Sequence, residues 1–348
     1  MYTQLFENWN WTPPSNWQVI ETIDLHTGGE PLRVITKGLP EIKGTTILEK
    51  RRYFKEHLDH IRTGLMWEPR GHADMYGAVI TPPTTPDGDF GTFFLHNEGY
   101  STMCGHAMIA LVTLMLDTGL IKKDSNDPFI RIDAPPGRIT ASAQIENGKV
   151  KKVSFENVPS FVLYANQKVN VDGIGEVTFD VAYGGAFYAF VDAQSIGIGL
   201  EAKNYNQLIE WGRKIKYAVM DNFAITHPFE EDLSFLYGTI FTGKANDTAH
   251  HSRNVCIFAE GEVDRSPTGS GVSARAAIHH LKDNLQPGDS ITIESILDTL
   301  MDVSIVSTTQ YGSHEAVIPK VSGTASIVGQ NRFYFDPEDP LGKGFIFR

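Results

Sequence analysis

Short apolar runs punctuated by glycine and proline dominate the chain. Those at Trp17–Asp24, Leu32–Thr36, Tyr76–Ile80, Thr92–His96, Phe129–Asp133 and Val150–Phe155 predict β-strands, because each is short and bounded by turn formers. Three longer stretches carry a helical pattern instead, at Gly105–Thr118, Tyr205–Met220 and Gly271–Lys282. The first is apolar nearly all round, which predicts a buried, central helix. Strand therefore outweighs helix, and two of the three helices follow a glycine-containing turn.

Asn157-Val-Pro-Ser160 closes one set of strands and precedes another. The expected domains are residues 1–158, carrying Cys104, and 159–348, carrying Thr268, with the final strand free to return to the first domain. A weak internal repeat supports the division: Thr27-Gly-Gly-Glu-Pro-Leu-Arg-Val34 is echoed by Tyr183-Gly-Gly-Ala-Phe-Tyr-Ala-Phe190. Cys104 lies 76 positions after Gly28 and Thr268 lies 84 after Gly184, so the turns Cys104-Gly-His106 and Thr268-Gly-Ser270 hold matching places. Duplicated halves predict a site between them.

Composition narrows the function. A length of 348 residues suits two domains, and 41% hydrophobic against 21% charged residues supplies two cores and excludes a disordered chain. With 30 basic and 42 acidic side chains the net charge is −12, which argues against nucleic acid or an anionic membrane as partner. The opening MYTQLFENWNWTPPSNW has no basic or apolar leader pattern, and the richest apolar stretch, Ala107–Leu116, is far short of a membrane span. Two cysteines cannot form a disulfide framework, so the expectation is a reducing, cytoplasmic setting in which each thiol needs its own explanation.

Cys104 sits in Met103-Cys-Gly-His-Ala-Met-Ile-Ala110, at the first turn of the apolar helix. Unpaired N–H groups and the positive end of the dipole lower a thiol's pKa there, Gly105 lets a ligand approach, and the N–H groups of Gly105 and His106 can bind a carboxylate. The plainer alternative is a buried cysteine at a helix start. Cys256, in Asn254-Val-Cys-Ile-Phe258, reads as core packing. In Val263-Asp-Arg-Ser-Pro-Thr-Gly-Ser-Gly-Val-Ser-Ala-Arg275, Asp264 or Ser266 reads as a cap with Pro267 in the first turn, yet Thr268 matches the cysteine turn of the other half. Two helix N-termini can then converge on one anionic ligand. The glycines fit no phosphate loop or dinucleotide fingerprint, the pairs His250-His251 and His279-His280 lack metal-ligand spacing, and no nucleophile elbow is present.

Met103-Cys-Gly-His106 together with Asp264-Arg-Ser-Pro-Thr-Gly-Ser-Gly271 resembles the proline racemase family, which includes proline racemases, 4-hydroxyproline epimerases and trans-3-hydroxy-L-proline dehydratases. The likeness extends to Asp24-Leu-His-Thr-Gly-Gly-Glu30, Glu68-Pro-Arg-Gly-His-Ala-Asp74, Asn97-Glu-Gly-Tyr100, Asn157-Val-Pro-Ser-Phe161 and Asp336-Pro-Glu-Asp-Pro340, nearly the whole chain. It implies an α/β (α+β) fold of two pseudo-symmetric domains, each a bent, mostly antiparallel sheet around a central helix, diaminopimelate epimerase-like. It also implies an active site in the cleft, a small imino acid as partner, no metal and no cofactor, and it is compatible with a homodimer. Racemases and epimerases carry a cysteine on both turns, whereas Thr268 replaces the second here, as in the dehydratase branch. Ala186, where racemases typically carry asparagine, leans the same way.

Inversion needs an acid and a base on opposite faces of the α-carbon, while elimination of water needs one base and a route for protonating the leaving hydroxyl. In trans-3-hydroxy-L-proline the α-hydrogen and the hydroxyl lie on the same ring face, so one thiol can serve both. The expected roles are Cys104 as base and Thr268 opposite it. Gly105, His106, Gly269 and Ser270 would receive the carboxylate, and by resemblance Asp264 would engage the ring ammonium. The rival expectations are a hydroxyproline epimerase with an unusual residue at 268, and an imino-acid-binding protein without turnover.

Overall fold

The strand runs read above recur, with ends shifted by up to a few residues, in the computed structural model, which describes residues 7, 9–123 and 125–347. Met1–Phe6 and Asn8, within the opening stretch read as lacking a leader, lie outside the described residues. The first half contributes β1 (Gln18–Thr27), β2 (Glu30–Lys37), β3 (Tyr76–Thr81), β4 (Phe90–His96), β5 (Phe129–Ala134), β6 (Gly137–Glu146) and β7 (Lys149–Glu156). The second contributes β8 (Ser160–Val171), β9 (Gly175–Tyr183), β10 (Phe187–Asp192), β11 (Leu236–Gly243), β12 (Ser252–Phe258), β13 (Glu262–Val263), β14 (Ser290–Glu294), β15 (Leu300–Tyr311), β16 (His314–Gly323) and β17 (Ala325–Phe335). No helix among the described residues is long and apolar enough to cross a membrane.

The sheet closes twice. β1 through β7 pair in sequence order, β7 pairs with the Lys320–Gly323 end of β16, and β17, one residue further on, returns to β1. The second closure runs β8, β9, β10, β11, β12, β14, β15, β16 and back to β8 through Ala316 and Val317. β16 thus serves both, and β13 adds a short pairing to β12. The parallel pairs, β2 with β3, β4 with β5, β10 with β11 and β12 with β14, each need a crossover, and the helices lie in or beside those crossovers.

Five α-helices lie among the described residues: α1 (Ile47–His57), α2 (Asp59–Met66), α3 (Gly105–Asp117), α4 (Tyr205–Asn222) and α5 (Gly269–Asp283). α3 packs on β1, β2, β6, β7, β16 and β17, which is why it must be apolar on every side. α5 lies in the same way against β8, β9, β10, β15 and β16, and starts two residues earlier than the sequence pattern placed it. α1 and α2 were not expected. A reciprocal cap fixes the start of α1, with Glu49 N–H donating to Thr46 Oγ1 at 3.1 Å and Thr46 N–H donating to Glu49 Oε2 at 3.2 Å. Its buried face presents Ile47 and Phe54 to a second core cluster with Ile20, Ile35, Val79 and Phe93. Burying Phe54 contributes roughly 1.5–3 kcal/mol.

Candidate active site

The N-termini of α3 and α5 meet backbone to backbone. A Cβ on Gly105 would stand 2.5 Å from Cα of Gly269, and a Cβ on Gly269 would stand 2.6 Å from Cα of Gly105. Glycine is therefore required at both positions so that the helix starts can touch. Gly105, expected to let a ligand approach, thus has a second use, clearing space for Gly269. Of the paired glycines of the internal repeat, Gly185 has a related use, since a Cβ there would stand 2.6 Å from Met103 Cβ, just ahead of the cysteine turn, whereas Gly28 and Gly29 are crowded chiefly by Thr299 and Leu297.

Cys104 is the N-cap of α3 in extended backbone, and its Sγ accepts a hydrogen bond from Ala107 N–H at 3.4 Å. Thr268 is the N-cap of α5 but sits at φ 70°, ψ 91°, and makes no side-chain cap bond. The capping role expected of Asp264 or Ser266 is also corrected. Asp264 Oδ1 accepts from Ser266 N–H at 2.7 Å and Ser266 Oγ accepts from Thr268 N–H at 3.2 Å, so both knit the turn ahead of the helix. Pro267 likewise precedes the N-cap rather than occupying the first turn.

These elements bring Cys104, Gly105, His106, Asp264, Thr268, Gly269 and Ser270 to the wall of one pocket, which is completed by Tyr76, Met103, Tyr188, Tyr237 and Phe258. The pocket encloses only ≈ 20 Å³, about the room for one water, so a ring-sized ligand requires its walls to part. Four of the completing residues come from β3, β10, β11 and β12, and the sequence carries no local signal for such a convergence. Tyr188 OH shares a hydrogen bond of 2.8 Å with Ser270 Oγ, and Tyr76 OH is bonded to Ser101 Oγ. Cys256 lies fully buried in β12 and is not part of the lining.

Burial sets the electrostatics. Desolvation pushes the Cys104 thiol well above its ordinary range, helped by the charge of Asp264 and opposed by the Ala107 N–H. His106 Nδ1 lies 3.1 Å from Cys104 Sγ, and burial lowers its pKa to about 3, so the imidazole beside the thiol is neutral. Asp264 is raised by burial to about 6, against the pull of the Ser266 and Thr268 hydroxyls. Thr268 Oγ1 is itself buried with no partner in hydrogen-bond geometry, Asp264 and Cys256 being its polar neighbours. Behind the pocket, Glu30 Oε2 accepts from Arg265 N–H at 2.8 Å, and Arg265 pairs with Asp74 at 2.8 Å. These bonds tie the Asp264–Thr268 segment to the first half of the chain.

The remaining histidine pairs are occupied locally. His250 Nδ1 lies 2.9 Å from Glu294, His279 Nδ1 lies 2.5 Å from Asp283, and the rings of His251 and His279 pack edge to face. Among the described residues, no group of three or more His, Cys, Asp or Glu side chains is placed to hold a metal ion.

Comparison with known proteins gives a consistent picture. The proline racemase family model matches residues 22–346. A protein of Colwellia psychrerythraea named trans-3-hydroxy-L-proline dehydratase is 49% identical over 344 residues, covering 99% of this chain and 97% of the relative. A human protein of the same name is 44% identical over 336 residues, covering 95% of each. Among solved structures, a hydroxyproline epimerase from Agrobacterium vitis with bound trans-4-hydroxy-L-proline superposes with a TM-score of 0.91 at 28% identity, covering 96% of both chains.

Proposed function

This chain belongs to the proline racemase family, and we propose that it is a trans-3-hydroxy-L-proline dehydratase, eliminating water without a cofactor to give Δ1-pyrroline-2-carboxylate. The observation that carries this reading is the pairing of one thiol, Cys104, with Thr268 on the lining of a single pocket. The near-full-length relatives bearing that activity in their names support it.

In this reading the substrate carboxylate lies on the first-turn N–H groups of Gly105, His106, Gly269 and Ser270, where two helix dipoles favour negative charge. Asp264, ionised at neutral pH, holds the ring ammonium. Arrival of that cation also favours the thiolate form of Cys104, which burial opposes. The thiolate removes the α-proton, and the growing charge spreads into the carboxylate held by the N–H groups. The C3–O bond then breaks and the hydroxyl leaves as water with the proton Cys104 has just taken, which regenerates the thiolate and leaves a C2=C3 enamine. Transfer of the ring nitrogen's proton to C3 gives the cyclic imine. Neutral His106 orients the sulfur. Thr268 shapes the far face without offering a second acid, since an alcohol does not ionise near neutral pH.

The two sheet closures support a structural reading beside the chemical one. Each contains the series parallel, antiparallel, parallel, in β2 to β5 and in β10 to β12 with β14. On this basis residues 1–158 and 159–348 are pseudo-symmetric domains of the diaminopimelate epimerase type, with β17 lent back to the first.

Proton NMR of the purified protein with trans-3-hydroxy-L-proline tests the function. The expected result is loss of the substrate signals and appearance of the pyrroline carboxylate, insensitive to chelator. Turnover of trans-4-hydroxy-L-proline by inversion, with the 3-hydroxy compound untouched, makes it an epimerase. Calorimetric binding without α-hydrogen exchange makes it a binding protein.

A further inference from the structure

Outside the catalytic pocket lies a larger cavity of ≈ 790 Å³ between α1 and the loops that follow β4 and β12. The two spaces are neighbours. Tyr237 lines both, and the ring of His96, on the outer wall, stacks against that of Tyr76, on the inner one. A ligand reaching the inner pocket past Tyr237 crosses this outer cavity first.

The outer cavity contains several charged groups, and three of its five cations are committed, while Lys55 is exposed to solvent. Arg52 pairs with Asp232 at 2.7 Å, Arg62 pairs with Asp59 at 2.7 Å, and Lys216 donates to Ala259 O at 2.6 Å with Glu260 beyond. The acids are committed too, Asp59 accepting from Tyr100 OH at 2.7 Å as well. Arg51 differs. Its guanidinium makes one hydrogen bond, from Nη2 to the Tyr100 carbonyl at 3.1 Å, its Nε is sealed from solvent with no partner, and no carboxylate stands within ion-pair distance among the described residues. Burial costs it charge stability, which the more distant carboxylate of Asp232 offsets in part, with the hydroxyls of Tyr100, Tyr237 and Tyr76 contributing less. A half-buried guanidinium with a planar fork and unused donors is the side chain suited to a small carboxylate, and its sealed Nε without a partner is a cost that such a ligand nearby would help to offset.

We propose that this outer cavity is an encounter site for the carboxylate of the imino acid, centred on Arg51, from which the ligand passes Tyr237 into the catalytic pocket. The proposal rests on the dehydratase reading for the identity of the ligand, and on the cavity and the uncommitted guanidinium for the site. Arg51 touches the ligand before reaction and not during it, so its effect falls on capture.

Arg51→Gln tests this by steady-state dehydration of trans-3-hydroxy-L-proline. The expected result is a fall in kcat/KM of about tenfold carried by KM, with kcat within about twofold, and a loss of most of its decline with added salt. Arg51→Lys should recover part of both, and Arg332→Gln, whose charge is paired with Glu21 away from the cavity, should stay within about twofold of wild type. A fall carried by kcat, or no change in KM or salt response in Arg51→Gln and Arg51→Lys, overturns the proposal. If the wild type does not turn over the 3-hydroxy substrate, the dehydratase reading fails on its own and the site is judged by binding instead. Saturation-transfer NMR with sodium acetate as probe should then give at most half the wild-type signal in folded Arg51→Gln. Equal signals from the two chains reject the encounter site.

Discussion

The turns before α3 and α5 occupy matching positions and touch through Gly105 and Gly269, yet they carry different chemistry. Cys104 has ordinary N-cap backbone, its sulfur accepts the Ala107 N–H, and a neutral imidazole lies 3.1 Å away. Thr268 has left-handed backbone at φ 70°, which is strained for a β-branched residue by ~1–3 kcal/mol, and its hydroxyl, near Asp264 and Cys256, meets hydrogen-bond geometry with neither nor with any other described residue. One turn is arranged around its reactive atom. The other holds its side chain in place at a cost to stability and gives it nothing to ionise against. The lesson is that near-equivalent frames can differ in the single atom that decides whether protons move on one face of a ring or on both.

Removing the thiol breaks this comparison most severely. Cys104→Ser should lose at least about 10³-fold in dehydration, ~4 kcal/mol of barrier, while melting close to wild type, as followed by product NMR and circular dichroism. Activity within about tenfold of wild type would remove Cys104 as the base. Cys256→Ala, in the fully buried strand behind the pocket, is the control: it should lower the melting temperature more than the rate.

Asp264→Asn should be next, at about 10²-fold in kcat/KM, because a ring ammonium buried without its counter-charge is costly. The pH profile gives the sign. With a pKa near 6, Asp264 is neutral below that pH and charged above it, so wild-type kcat/KM should rise as pH passes through about 6, and that limb should vanish in Asp264→Asn. An unchanged acid limb would assign it to another group.

Gly269→Ala prises the two turns apart. Its Cβ has no room beside Gly105, so both helix starts must shift, at ~1–3 kcal/mol of stability and about tenfold in rate. Chemical denaturation and kinetics on the same sample check this, and wild-type values in both would show that the contact is not constraining.

The smallest expected effect comes from making the turns alike. Thr268→Cys should fold at least as well, since an unbranched side chain tolerates the positive φ better, and should dehydrate several-fold more slowly. Chiral chromatography should detect slow interconversion of a proline or 4-hydroxyproline pair. Failure of that gain would show that one substitution is insufficient for inversion.

The part of this architecture that sequence could reveal was local. The strand runs and α3 announce themselves by apolar content and Gly/Pro punctuation, and both turns by small residues next to one reactive side chain. α1 carried a signal that went unused, the Thr46-x-x-Glu49 reciprocal cap, while α2 has only Asp59–Met66 and no cap bond to mark it. Tyr76, Tyr188, Tyr237 and Phe258 could not be found this way, because each belongs to a separate strand and converges only when the sheet closes. The contact of Gly105 with Gly269 is hidden for the same reason: the two are 164 positions apart in sequence.

The most direct test of a one-thiol site is the wild-type protein in deuterated water with trans-4-hydroxy-L-proline, which has an α-hydrogen but no hydroxyl at C3 to expel. A base on one face alone predicts slow deuterium uptake at the α-carbon, seen by NMR, with the L configuration retained by chiral chromatography. Accumulation of the inverted epimer at a rate comparable to dehydration of trans-3-hydroxy-L-proline would contradict it, because it requires a second proton donor opposite Cys104.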